Sequence, residues 1–135
     1  MLFNRFYRFD IDLQAMAIKA GPARSGPEDY HETLRWTALL AGRFPLDLAA
    51  ATGIHDADTV LKLIAAGADA VQVCSVIYRR GFGVIGEITR AMDDWLNARG
   101  IASIQALKGR LSQEASTNPA AYLRLQYIQA LTGIS

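Results

Sequence analysis

Two short apolar runs, Leu46 to Ala51 and Ala70 to Cys74, flank a segment with helical spacing, and this order restricts the fold more than any other feature of the chain. In the first run only Asp47 is polar, the pattern of a strand buried on both faces rather than a half-solvated one. Thr52-Gly53 ends it. Asp56 or Asp58 can then cap a helix whose Val60, Leu61, Ile64 and Ala65 form one stripe and whose end is set by Gly67. The second run is again short, with β-branched Val71 and Val73. A crossover long enough to hold a helix joins parallel strands, so the pattern predicts an α/β fold.

The flanks extend the same reading. Leu2-Phe3 opens an apolar segment almost at once, which reads like the middle of a longer domain, since most domains begin with residues that fray in water. Asp10 to Lys19 alternates loosely and predicts a short hairpin-like excursion, and Gly21-Pro22 and Gly26-Pro27 mark a loop. Pro27 suits the first turn of a helix carrying Tyr30, Leu34, Ala38 and Ala41 to a stop at Gly42. From Gly83 a longer helix sets Val84, Ile85, Ile88, Met92, Trp95 and Leu96 on one face and Glu87, Arg90, Asp93 and Asp94 on the other, until Arg99-Gly100. Ser103 can cap a short helix through Leu107. Asn118-Pro119 begins a last one bearing Tyr122, Leu125, Ile128 and Leu131 before Gly133.

Composition removes several classes of function. In 135 residues, 14 Lys and Arg against 13 Asp and Glu give a net charge of +1, with no like-charge run to engage nucleic acid or a membrane surface. The single cysteine, Cys74, excludes an intrachain disulfide and a four-thiolate metal site, and a reducing cytoplasm fits it. No apolar stretch approaches a membrane span, and the start carries no cleavable leader pattern.

Chemistry is expected where a buried strand, a small-residue turn and a following helix meet, at Thr52-Gly53 and at Cys74-Ser75. A phosphate needs converging main-chain N–H groups with no Cβ in the way, and adjacent strand ends of a parallel barrel supply them. The plainer reading of each is a turn residue after a strand. His55 could contact a ligand there or be solvated; His31 reads as a surface residue, and Asp93 and Asp94 as a solvated face. No pairing base stands near Cys74 in sequence, so a small buried cysteine is expected rather than a nucleophile. Trp36 and Trp95 are expected in the core or an interface.

Several segments together resemble one family. Leu48-Ala49-Ala50-Ala51-Thr52-Gly53-Ile54-His55-Asp56, then Ala66-Gly67-Ala68-Asp69-Ala70-Val71-Gln72-Val73-Cys74-Ser75, resemble the last two strand–turn units of dihydroorotate dehydrogenases. Trp95-Leu96-Asn97-Ala98-Arg99-Gly100, Ser103-Ile104 and Lys108-Gly109-Arg110-Leu111-Ser112 are similar to that family's terminal helix and short tail. The resemblance covers residues 1–113, and the Asn118-Pro119-Ala120-Ala121-Tyr122 segment of a helical tail, 114–135, is similar to a dihydroorotate dehydrogenase-like subgroup. It implies the C-terminal portion of a (β/α)8 TIM barrel, with about three parallel strands and flanking helices.

In that family the FMN phosphate is held by main-chain amides of a Gly-Gly turn after strand seven and a Gly-Thr turn after strand eight. The resemblance places these at Thr52-Gly53 and Cys74-Ser75. Gly53 matches and Ser75 keeps a hydroxyl, while Thr52 and Cys74 replace glycines and narrow the approach. Asn4 resembles an Asn on strand six near the flavin and substrate. Tyr7 stands where the enzymes present a substrate-binding Asn, and Ser25-Gly26 corresponds to the end of a Gly-rich loop most of whose glycines are missing.

The implied function is FMN-dependent oxidation of dihydroorotate to orotate in pyrimidine biosynthesis, with flavin and a small-molecule substrate as partners. A complete barrel of this kind takes about 250 residues. The early strands, the loop with the catalytic Cys or Ser base, the flavin-contacting Lys and the early substrate Asn residues have no counterpart, so no catalytic residue is assigned and the isolated chain is expected to be inactive. Open sheet edges favour a homo-oligomer or docking onto a complementing N-terminal half, and a non-catalytic FMN- or phosphate-binding module is the alternative. A phosphate-binding aldolase or epimerase barrel would explain the turns but not the Trp-to-Leu pattern.

Overall fold

The computed structural model describes Met1, residues 8–120 and residues 122–124. Asn4, Tyr7, the apolar segment opened by Leu2-Phe3 and the last helix past residue 124 lie outside the described residues. Strand β1 (Phe9–Asp12) and strand β2 (Ala17–Ala20) form an antiparallel hairpin with Asp10 opposite Lys19 and Ile11 opposite Ile18. The Asp12 carboxylate fixes its tip by accepting from the N–H groups of Gln14 at 2.9 Å and Ala15 at 3.0 Å. Every residue of both strands is exposed.

A 3-10 turn, Pro27–Tyr30, leads into helix α1 (His31–Leu40). Strand β3 (Ala49–Ala51), helix α2 (Ala57–Ala66) and strand β4 (Ala70–Gln72) follow, and β3 pairs with β4 in parallel through Ala49 to Ala70, Ala50 to Val71 and Ala51 to Gln72. The predicted strand–helix–strand unit is therefore present. Both strands are shorter than the apolar runs that announced them, because Leu46 is 73% exposed and the chain turns at Thr52 and Val73. The described residues hold a parallel pair and an antiparallel pair, a mixed α/β arrangement, and no closed barrel.

Helix α2 forms through local chemistry. Asp56, and not Asp58, caps it, accepting from Thr59 N–H at 2.8 Å, and Gly67 ends it with φ +117°, a left-handed conformation that suits glycine. From Thr59 to Ala66 every residue except Lys62 is buried, wider than the single stripe expected, because α1 and α4 cover it from two sides. Leu63, fully buried, contributes roughly 1.5–3 kcal/mol by leaving water. Helix α3 (Ser75–Arg80), helix α4 (Gly83–Ala98) and helix α5 (Ile104–Leu107) complete the unit. Val84, Ile88 and Leu96 of α4 and Leu107 of α5 join the α2 core, with Met92 and Trp95 packed at its margin.

Two expectations are corrected and a third is narrowed. Cys74 is exposed, not buried, because β4 ends at Gln72 and the chain leaves the sheet before Cys74 has a covering layer. Ile85 is 43% exposed, since the helix turn that buries Val84 and Ile88 carries it off their face. Trp36 is 40% exposed, which removes the core from the two places expected for it and leaves an interface.

Candidate functional site

The register of the parallel pair decides where the site residues fall. Because Ala51 faces Gln72, the Thr52-Gly53 turn and the Val73-Cys74-Ser75 turn leave the sheet side by side at the C-terminal ends of β3 and β4. Together with Arg24 and Ser25 from the loop before the 3-10 turn, Thr52, Gly53, Cys74 and Ser75 line one cleft of about 210 Å³.

Each turn has its own local cause. Thr52 and Gly53 are both left-handed, at φ +85° and +72°. For Gly53 the reason is a close approach: a Cβ there would lie 2.4 Å from Tyr30 N and 2.7 Å from the Asp29 carbonyl carbon. Its lack of a side chain thus seats the turn on the start of α1, rather than opening the cleft. Thr33 Oγ1 reinforces this seat by donating to the Ala51 carbonyl at 2.9 Å. Thr52 has no such licence, since a β-branched residue at positive φ is strained. At the second turn, Cys74 leads into α3 and its carbonyl accepts from Ile77 N–H at 3.0 Å.

The loop is clamped to both turns through one residue. Ser25 is 6% exposed. Its N–H donates to Ser75 Oγ at 3.2 Å, and the two serine hydroxyls are hydrogen-bonded to each other at 2.9 Å. Its carbonyl accepts from Arg79 Nη2 at 3.3 Å and lies 3.1 Å from His55 Nε2, which makes Nε2 the donating nitrogen. His55 therefore supports the loop, a role between the two foreseen for it. Gly26 N–H donates to Asp29 Oδ2 at 2.8 Å and closes the segment. Arg24 holds its guanidinium 5.2 Å from the centre of the Tyr78 ring, a cation–π placement that keeps a positive charge at the cleft.

Arg24, Arg79 and the Ser25–Ser75 link were not foreseen. Loop punctuation at Ser25-Gly26 marked the segment, but nothing in sequence pairs two serines fifty residues apart. His31 is a surface residue as expected, its Nδ1 2.8 Å from the Glu28 carbonyl oxygen. Asp93 and Asp94 are exposed.

Hydroxyls and a cation around a small concavity match an anion, and the donor set fits the phosphate end of FMN. The volume does not fit the whole nucleotide: sites that enclose drug-sized ligands run to about 300–1,000 Å³, against about 210 Å³ here. Among the described residues no cluster of His, Cys, Asp and Glu could hold a metal ion, and no helix is long and apolar enough to cross a membrane.

No family model matches the chain. Curated relatives do over part of it. It is 42% identical over 62 residues to dihydroorotate dehydrogenase (quinone) of Brucella melitensis biotype 2, a match covering 46% of this chain and 17% of the relative. The corresponding protein of Brucella ovis is 40% identical over 62 residues, with the same coverage. The chain thus spans about a sixth of the length of these relatives, and what it shares with them is a partial similarity to dihydroorotate dehydrogenase (quinone).

Proposed function

We propose that this chain supplies the FMN-phosphate end of a dihydroorotate dehydrogenase-like flavoprotein that oxidises dihydroorotate to orotate in pyrimidine biosynthesis. The observation that carries the reading is the convergence of Thr52-Gly53, Cys74-Ser75 and the Ser25 loop on one small cleft with Arg24 beside it. Bound FMN would accept the hydride from the substrate carbon. The chain's own residues bind and orient: Ser75 donates a hydrogen bond to the phosphate, Arg24 offsets its charge, and Gly53 keeps the first turn in register against α1. No residue of the chain is assigned as the base, so proton removal falls to a complementing N-terminal half. In this reading the protein works in the cytoplasm, and Asn4 belongs to the flavin and substrate end.

The test is titration of the purified chain with FMN and with riboflavin, followed by flavin fluorescence, alongside an assay for dihydroorotate oxidation. Preferential binding of FMN without turnover is the expected result. Equal affinity for the two flavins, or turnover by the chain alone, would overturn the assignment.

A second reading, a non-catalytic assembly module that oligomerises, draws on the apolar residues of the hairpin: Phe9 is 69%, Ile11 58% and Ile18 77% exposed, and the pairing register sets all three on one face. Exposed patches of this sort mark interfaces. Light scattering on the same samples separates the readings, because assembly without any flavin preference would favour the second.

A further inference from the structure

We propose that the exposed side of α4 is a self-association surface, on which a second copy of this chain packs its own α4 antiparallel about a two-fold axis. The surface lies outside the phosphate cleft and is separate from the hairpin face of the assembly reading.

Phe82, Gly86, Thr89, Asp93, Leu96 and Gly100 follow one another at alternating steps of four and three residues, the spacing of a seam along which two helices interdigitate. Val84 and Ile88, which join the α2 core, lie off this seam. Of its members only Leu96 is buried, and with Met92, Ile101 and Ile104 it lines a groove of about 520 Å³. At the other end Phe82 is 78% exposed, and Ile85 beside it 43%. An apolar strip and an apolar groove thus share one helix face, as in sites that receive a helix.

Size matching selects the same helix as occupant. Turned antiparallel about an axis near Ala91, the seam sets Phe82 over the second copy's Gly100, and its Gly86 over Leu96. A Cβ at Gly86 or Gly100 would meet nothing within 4 Å, so both leave room for an incoming residue. Large meets small at each level, and the two-fold axis repeats every match. Charge agrees with size. Asp93 lines the groove, and among the described residues neither it nor Arg90 has an ion-pair partner. In this pairing Arg90 of each copy stands beside the seam at the level of the other copy's Asp93, which gives two Arg–Asp pairs across the axis. With 16 residues in α4, the contact runs for about 24 Å.

Four full-length chains are compared by sedimentation velocity: the unmodified protein, Phe82→Ala, Arg90→Asp and Asp93→Arg. Reductant is present, so that exposed Cys74 forms no disulfide dimer. The three positions are exposed, so the fold is expected to persist, and circular dichroism checks it. The unmodified protein is expected to be a reversible dimer. Each substitution acts twice across the axis and should raise the dissociation constant about tenfold. An equimolar mixture of Arg90→Asp with Asp93→Arg should recover the dimer, because the two aspartates of one chain then face the two arginines of the other.

An unmodified chain that stays monomeric overturns the proposal. So does a dimer that Phe82→Ala leaves at full affinity, or charge reversals that do not rescue each other on mixing. A dimer dispersed by Ile18→Asp and not by Phe82→Ala assigns the interface to the hairpin instead. FMN preference is read in its own titration, and its absence bears on the phosphate reading alone.

Discussion

The two ends of the β3–β4 pair are built on opposite terms. At the N-terminal end the polar groups are paired with one another, beside a cavity of about 620 Å³ that Leu48, Asp69 and Lys108 line. Leu48 N–H donates to Asp69 Oδ2 and Asp69 N–H donates back to the Leu48 carbonyl, each at 2.8 Å, and Lys108 pairs with the other Asp69 oxygen. The segment after α5 then runs under the helices. Leu111 N–H donates to the Ala65 carbonyl and Gln113 N–H to Ala38, carbonyls near the ends of α2 and α1, and Gly109 N–H adds a second bond to the Ile64 carbonyl that Gly67 N–H already caps. At the C-terminal end fewer groups are paired: Cys74 is exposed, Thr52 is strained, and Ser75 lines a cleft of about 210 Å³. One end ties the strand pair to the segment after α5, and the other carries the strained turn and the small cleft.

The largest effect should come from breaking the closed end. A Cβ on Gly67 would lie 2.3 Å from the Ala41 Cβ, and the residue sits at φ +117°, so substitution brings both overpacking and backbone strain. With about 1–3 kcal/mol for the first and about 1–2 for the second, Gly67→Ala is expected to lose roughly 2–5 kcal/mol. Urea unfolding followed by circular dichroism measures it. A loss below about 1 kcal/mol would mean that α1 and the C-terminal end of α2 are not in tight contact.

Asp69 sharpens the comparison at intermediate size. Hydrogen bonding to Lys108, and then to the Leu48 amide, holds its carboxyl below the ordinary value of 3.8. The folded chain thus binds this proton less readily than the unfolded chain, so the contribution to stability is full above about pH 4 and is lost as pH falls through the lower folded value. The two charged side chains are 25% and 31% exposed, which limits the Coulombic share. Asp69→Asn keeps an acceptor for Leu48 and is expected to cost about 1 kcal/mol at neutral pH. The gap to the unmodified protein should narrow below pH 4. If it is as wide at pH 2 as at pH 7, the carboxylate charge is not what closes this end.

What could be read from the sequence follows the range of each interaction. The caps at Asp56 and Ser103, the stop at Gly67 and the hairpin tip at Asp12 act within about one turn of chain, and the residues that make them stand in the sequence as a local signature. The pairing of the two turns was legible too, because a helix-length crossover leaves parallel strands little choice. Ser25 with Ser75, Gly53 against Tyr30 and Leu111 under Ala65 were not, since each joins residues that only tertiary packing brings together. Cys74 misled for a related reason: its neighbours in sequence are apolar, but its exposure depends on where β4 stops.

The smallest effect should come from relieving the open end. Thr52 at φ +85° carries about 1–2 kcal/mol of left-handed strain, whereas glycine adopts that conformation freely but gives up roughly 0.5–1 kcal/mol through the wider freedom of its unfolded chain. The balance favours Thr52→Gly by up to about 1 kcal/mol, and Thr52→Ala, which keeps a Cβ at positive φ, should show less of the gain. Both are read as shifts in the urea midpoint. A drop in stability for Thr52→Gly would mean that the threonine side chain makes contacts worth more than the strain it imposes, and the open end would then be held as firmly as the closed one. A gain would mean that the chain keeps a destabilising residue beside its cleft, at the one place where the two ends of the sheet differ most in how their polar groups are used.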